Sequence, residues 1–236
     1  MIYLNPNLNC TGVFTHFATS EDIQNKSYFH RQLTSFYEFL DLIPNRTDKI
    51  IHCANSDGTL YHPEKPFFNM VRLGKALMDP SNEALKHLLP FELQHTLSLH
   101  SILDFVKQLD ANEEIGYEGE YVIRESQWIG TVPIEYIDGW HQQFKTSRVL
   151  VDERRVPIVG RIYMDQLMIA LPEKYPVGTR VTFISRQGNE TIVGDEIAQK
   201  ANQPRSEVFS SLSSHVPRIY KQDESIISIR NPMLES

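Results

Sequence analysis

The stretch EEIGYEGEYVIRESQWIGTVPIEYIDGW, residues 113–140, alternates like sheet yet sets two tyrosines, Tyr117 and Tyr136, beside glycines and acids. A phenol at a strand turn either caps a core or carries a proton on its hydroxyl. The second use needs assistance, because a phenol with a pKa of about 10 is a poor base at neutral pH unless positive charge lies close by. Glu118 and Glu135 adjoin the two tyrosines and act in the opposite direction, since a neighbouring anion raises the pKa of a phenol. This stretch by itself leaves both uses open. Cys10 and Cys53 have no partner at metal or redox-motif spacing. They read as buried or reduced thiols of a cytoplasmic protein, and no metal site is expected.

The elements that would position these side chains follow from two different periodicities. In the first ninety or so residues, short β-rich runs alternate with helical patterns. TGVFTHF (11–17) is the first such run. Ser20, Glu21 and Asp22 then give a helix N-terminal signal, followed by the helical spacing of Ile23, Phe29, Leu33, Phe36 and Leu40. KIIHCANS (49–56) and FFNMVRLG (67–74) read as further strands of a parallel sheet with helical crossovers. From about residue 92 the pattern becomes strands separated by turn residues, with one helical interruption at DEIAQKAN and a last strand pair near RIYKQDESIISIR. The expected fold is therefore α/β followed by mainly β, with a boundary near Phe91. Three strand–helix units cannot close a barrel, for which about 250 residues are typical.

Bulk properties remove several classes of function. With 41% hydrophobic and 22% charged residues the chain is of ordinary globular composition, and its 236 residues can bury a sizeable core. The formal charge of -7 without a basic block favours neither nucleic acid nor an anionic membrane surface. No apolar run approaches a membrane span, and MIYLNPNLNC lacks the basic and apolar regions of a signal peptide.

Several segments, in fixed order, resemble the alanine racemases: GVFTHFATSED, HCANSDGTLYHPEKPFFNMVRLGKAL, LSLHS, WIGTVPIEYIDGW, VPIVGRIYMDQLMIALP, PVGTRVTFISRQG and VPRIY. The resemblance runs essentially from end to end of the chain. It implies an enzyme dependent on pyridoxal 5'-phosphate that interconverts L- and D-alanine for cell-wall synthesis, acting as a cytoplasmic homodimer with shared active sites. It also implies that residues 1–91 are the last strand–helix units of a (β/α)8 barrel and that 92–236 form the C-terminal β domain. The first half of the family's barrel has no counterpart here. With it are missing the lysine that holds the cofactor and the arginine that binds the substrate carboxylate, so the chain on its own is expected to be inactive. A non-catalytic dimerisation or binding module, or a racemase of another amino acid, are the alternatives.

Racemisation needs two proton carriers on opposite faces of the α-carbon. By resemblance one carrier is the tyrosine of IGYEGEY, Tyr117, supplied across the dimer, with His16 of FTHFAT and Arg72 of MVRLG as the relay that lowers its pKa. Arg72 also faces the cofactor's pyridine nitrogen in this scheme. The cofactor phosphate falls to Ser56, to the main chain of Gly74 and Lys75, and to Ser214. Met164 meets the substrate carboxylate through its main chain, and Tyr136 lines the gate. Four positions depart from the family pattern. Lys75 replaces an apolar residue and Ser214 a tyrosine, Glu135 stands where glycine is common, and Glu118 adds charge beside the tyrosine base.

Overall fold

The computed structural model describes residues 5–62, 64, 66–78, 85–223 and 225–234 of a chain that divides into two compact units, Met1–Thr96 and Leu97–Ser236. In the first unit, β1 (Gly12–Phe14) and β2 (Ile50–His52) pair in parallel, Gly12 opposite Ile50 and Phe14 opposite His52. The crossover between them is α1 (Ser27–Asp41). Its Phe29, Leu33, Phe36 and Leu40 repeat at helical spacing and are all buried. They pack with Val13, Phe17, Ile43, Ile51 and Cys53 into one core. Two short helices follow, α2 (Ser56–Leu60) and α3 (Lys75–Met78).

Two expectations for this unit are corrected. The helix starts at Ser27 and not near Ser20, so Ile23 lies outside it. The Asp22 carboxylate accepts the N–H groups of Gln24 (3.2 Å) and Asn25 (2.9 Å), forming a local turn, while the buried Ser20 exchanges hydrogen bonds with the Asn55 side chain. Nor is 67–74 a strand. Phe68 adopts φ 49°, which breaks an extended run, and Asn69 meets β2 with its side chain. Its Oδ1 accepts from Ile51 N (2.7 Å) and its Nδ2 donates to Lys49 O (2.9 Å), with the Asn69 amide donating to Ile51 O at 3.3 Å. Among the described residues the first unit therefore holds two strands where three were expected.

In the second unit the strands are β3 (Leu99–Ile102), β4 (Phe105–Leu109), β5 (Glu114–Ile115), β6 (Tyr121–Val122), β7 (Gln127–Val132), β8 (Arg148–Val151), β9 (Arg154–Val159), β10 (Leu167–Leu171), β11 (Arg180–Gln187) and β12 (Glu190–Ile192), then the hairpin β13 (Arg218–Gln222) and β14 (Ser225–Arg230). Eight of them form one antiparallel sheet in the order β12–β11–β8–β9–β10–β7–β4, with β3 also on β11. Val149, Leu150 and Val151 are all buried, so β8 is covered on both faces. Trp140 packs its ring against Phe144 (5.1 Å) and Phe183 of β11 (4.9 Å), and all three are fully buried. The helices α4 (Gly194–Ala201) and α5 (Arg205–Ser211) follow β12, and Arg155 of β9 ties α4 in through Glu196 (2.8 Å) and β12 through Glu190 (2.7 Å).

Candidate active site

Parallel strands end on the same side, so Thr15 and His16 after β1 come beside His52 and Cys53 at the end of β2. Arg72 reaches this edge from the following segment. Its NH2 donates to the Thr15 carbonyl (3.0 Å) and to His16 Nδ1 (3.0 Å), and its NH1 donates to His52 Nδ1. The guanidinium also lies over the Phe14 ring at 5.4 Å, and Phe14 stacks on His52 at 5.1 Å. A guanidinium has donors only, so both imidazoles must accept through Nδ1 and carry their proton on Nε2. Burial, then the Arg72 charge, holds the pKa of His52 below the usual histidine range, which keeps that ring neutral. Burial pushes the neighbouring Cys53 thiol up to about 11, so it stays protonated beside the arginine.

A second group in the same unit suits an anion. Asn55 caps α2, its side chain accepting from Gly58 N at 2.9 Å, and this places buried Ser56 at the first helical position. The N–H groups of Gly74 (3.1 Å) and Ala76 (3.2 Å) both converge on Ser56 Oγ. A Cβ built at Gly74 would touch nothing within 4 Å, so the backbone there lies open to a ligand. Both amides donate to Ser56 Oγ here, and a phosphate at this place would replace that oxygen as their acceptor, with the hydroxyl turning to donate to it. The side chain of Lys75 is committed elsewhere: its Nζ lies 2.5 Å from the carboxylate of buried Asp57.

The remaining expected residues lie in the second unit, in two places. Tyr117 sits on the turn joining β5 to β6, with 73% of its surface exposed and its ring edge-on to Tyr163 at 5.7 Å. Gly116 takes φ 89°, and a Cβ there would collide with the Tyr163 hydroxyl, so only glycine fits. Met164 follows Tyr163 directly and is exposed. The other place is the loop after β7. There Trp140 N donates to Glu135 O (3.1 Å) and Gly139 N to Tyr136 O (3.1 Å), forming the turn that presents Tyr136. Ser213 N donates to Asp138 O (2.9 Å) and Ser211 Oγ to Gly139 O (3.0 Å), so this turn is stapled to the exposed segment carrying Ser214.

Glu135 marks this loop electrostatically. One of its carboxylate oxygens is buried with no hydrogen-bond partner among the described residues. Burial, then the charges of Asp138 and Asp165, raises its pKa, and His215 acts against them. Folded Glu135 thus holds its proton to higher pH than the unfolded chain does. Its contribution to stability is complete below the unfolded value and declines as pH rises through the folded one. Glu135→Gln is therefore expected to raise Tm slightly at about pH 7 and to leave it unchanged at about pH 3. Paired thermal melts test this, and an equal gain at both pH values would place the effect outside the titration.

His52 and Tyr163 were not among the residues anticipated from sequence. His52 carries no local mark beyond being a polar residue inside an apolar strand, and Tyr163 none at all.

Comparison with known proteins gives a consistent match. Residues 96–220 match the family described as alanine racemase, C-terminal domain, and residues 1–81 that described as alanine racemase, N-terminal domain. The alanine racemase of Geobacillus stearothermophilus is 43% identical over 233 residues, which is 98% of this chain and 59% of that protein. The chain thus spans about three fifths of the length of such relatives. The crystal structure of alanine racemase from Bacillus anthracis with bound L-Ala-P superposes with a TM-score of 0.88 at 39% identity, covering 95% of this chain and 58% of that one. That of alanine racemase from Bartonella henselae, with covalently bound pyridoxal phosphate, gives 0.73 at 25% identity, covering 86% and 54%.

Proposed function

The chain belongs to the alanine racemase family of pyridoxal-phosphate-dependent isomerases, and from that premise we propose that it serves the interconversion of L- and D-alanine. The observation that carries this reading is the Arg72 guanidinium held between His16 and His52 at the ends of two parallel strands. On this reading, residues 1–91 are late strand–helix units of a (β/α)8 barrel and residues 92–236 the β domain. Two copies pair so that Tyr117 and Tyr136 of one complete the His16–Arg72 site of the other, and the D-alanine formed supplies cell-wall synthesis.

Bound pyridoxal phosphate supplies a conjugated ring that delocalises the charge left at the α-carbon when its proton departs. Ser56 Oγ and the main chain of Gly74 and Lys75 would hold the phosphate, and Ser214 would be a further hydroxyl donor to it. Arg72 would be the residue at the ring nitrogen, and because an arginine does not give up its proton it would leave that nitrogen unprotonated and favour simple proton exchange. Tyr117 Oη would move the proton at one face of the α-carbon, with His16, hydrogen-bonded to the Arg72 guanidinium, as its relay. The Met164 main chain orients the substrate carboxylate, while Tyr136 narrows the approach.

A chimera tests this reading. The chain is joined to the part of the Geobacillus stearothermophilus racemase that it does not cover, and α-proton exchange of L-alanine in deuterated water is followed by NMR. Exchange with inversion is expected. A folded chimera that binds pyridoxal phosphate and leaves the α-proton of both antipodes untouched would overturn the assignment.

A further inference from the structure

Tyr117 poses a positioning problem. A proton carrier must be held still, yet most of this side chain is in solvent and its turn contains three residues with positive φ, at Gly116 (89°), Glu118 (61°) and Gly119 (64°). The feet of the turn are secure. Ile115 and Ile123 are buried in a small core with Leu109, Ile129 and Val159. That core stops short of the tip, and the tip's ring contact is the edge of Tyr163.

What grips the tip is Glu120, one residue beyond the turn. One of its carboxylate oxygens accepts from Lys145 Nζ at 3.0 Å, at the end of the 3-10 turn Gln142–Phe144. The other accepts from Arg161 Nε at 2.6 Å. Arg161 also approaches Glu118 with NH2 at 3.6 Å, so one guanidinium bridges the residues on either side of Gly119. These two cations hold the pKa of Glu120 low, the Lys145 hydrogen bond contributing most. Arg161 stands two residues before Tyr163 and three before Met164, so the same bridge fixes the Tyr117 turn to the segment that supplies its ring contact.

We propose that Glu120 is the positioning residue for Tyr117, clamping its turn to Lys145 and to the Arg161–Met164 segment. This rests on the assignment of Tyr117 as proton carrier. Solvent-exposed ion pairs add little to global stability, so the clamp acts on local order and weakens as salt screens it.

The test uses the full chain labelled with 3-fluorotyrosine and observed by fluorine NMR, with Tyr117→Phe and Tyr163→Phe identifying the two lines. Glu120→Gln is expected to move the Tyr117 line toward the position of free fluorotyrosine and narrow it, to shift the Tyr163 line with it, and to leave Tm nearly unchanged. Added salt should do the same to the unmodified chain and much less to the variant. The shifts from Glu120→Gln and Arg161→Gln should add incompletely in the double variant, because the Glu120–Arg161 bridge is lost in both while the Lys145 and Glu118 contacts are each lost in one alone. Unmoved lines in Glu120→Gln, salt-independent lines in the unmodified chain, or fully additive shifts would each overturn the proposal. The spectra require no turnover. If the lines move but the Tyr117→Phe chimera still racemises alanine, the phenol assignment fails and the clamp stands. If the lines stay put and the Tyr117→Phe chimera loses racemisation, the phenol assignment stands and the clamp fails.

Discussion

Tyr117→Phe, which removes a single oxygen, is expected to lower racemisation by the chimera roughly 10²–10⁴-fold, the usual contribution of a positioned acid–base group. The loss should be one-sided. If Tyr117 serves one face of the α-carbon, the antipode whose proton lies on the other face keeps its exchange with deuterated solvent, while the antipode facing Tyr117 loses it. NMR of both antipodes separates this from general damage, which would slow both alike. Arg72→Lys makes a useful companion. A lysine cannot span His16, His52 and the Thr15 carbonyl with one planar fork, so charge is kept while geometry is lost. Equal exchange of both antipodes by Tyr117→Phe, at the unmodified rate, would remove the phenol from the mechanism.

Trp140→Ala should produce the largest loss of stability. The ring is fully buried between Phe144 and Phe183, and truncation of a large buried aromatic costs about 3–5 kcal/mol. At roughly 2–4 °C per kcal/mol for a chain of this size, Tm should fall by about 6–20 °C. Trp140→Phe separates packing from polarity. The indole Nε1 is buried without a hydrogen-bond partner among the described residues, so phenylalanine loses volume but also removes an unsatisfied donor. Its penalty should be a fraction of that for alanine. Comparable losses for the two variants, in denaturant melts of the full chain, would show that the indole makes a polar contribution that the contacts above do not include.

The helix α1 was legible because Phe29, Leu33, Phe36 and Leu40 obey one period and face one core, and such a pattern survives any tertiary setting. Its start was not, since Ser20 has the chemistry of a cap but spends its hydroxyl on Asn55, 35 residues away. The same kind of substitution hid the true character of 67–74, where apolar residues with strand-like spacing surround an asparagine whose amide replaces a strand. In the second unit alternation and turn residues revealed the sheet, while α5, short and polar, gave no period long enough to see. The candidate site was visible through ordered motifs and not through any single residue. His52 shows the limit: its part in holding Arg72 exists only once Ile50–His52 pairs with Gly12–Phe14 and brings His16 alongside.

The asparagine beside β2 has a consequence for how this protein behaves at high concentration. A strand edge with free amides and carbonyls is a template on which another chain can polymerise. On the side of β2 away from β1, Ile51 N, Ile51 O and Lys49 O are all engaged by Asn69. One residue, turned at Phe68, thus occupies the docking positions of a strand there, with its side chain at Ile51 N and Lys49 O and its backbone N–H at Ile51 O. At these groups the β2 edge is closed chemically, in the way a capped monomer ends a growing polymer.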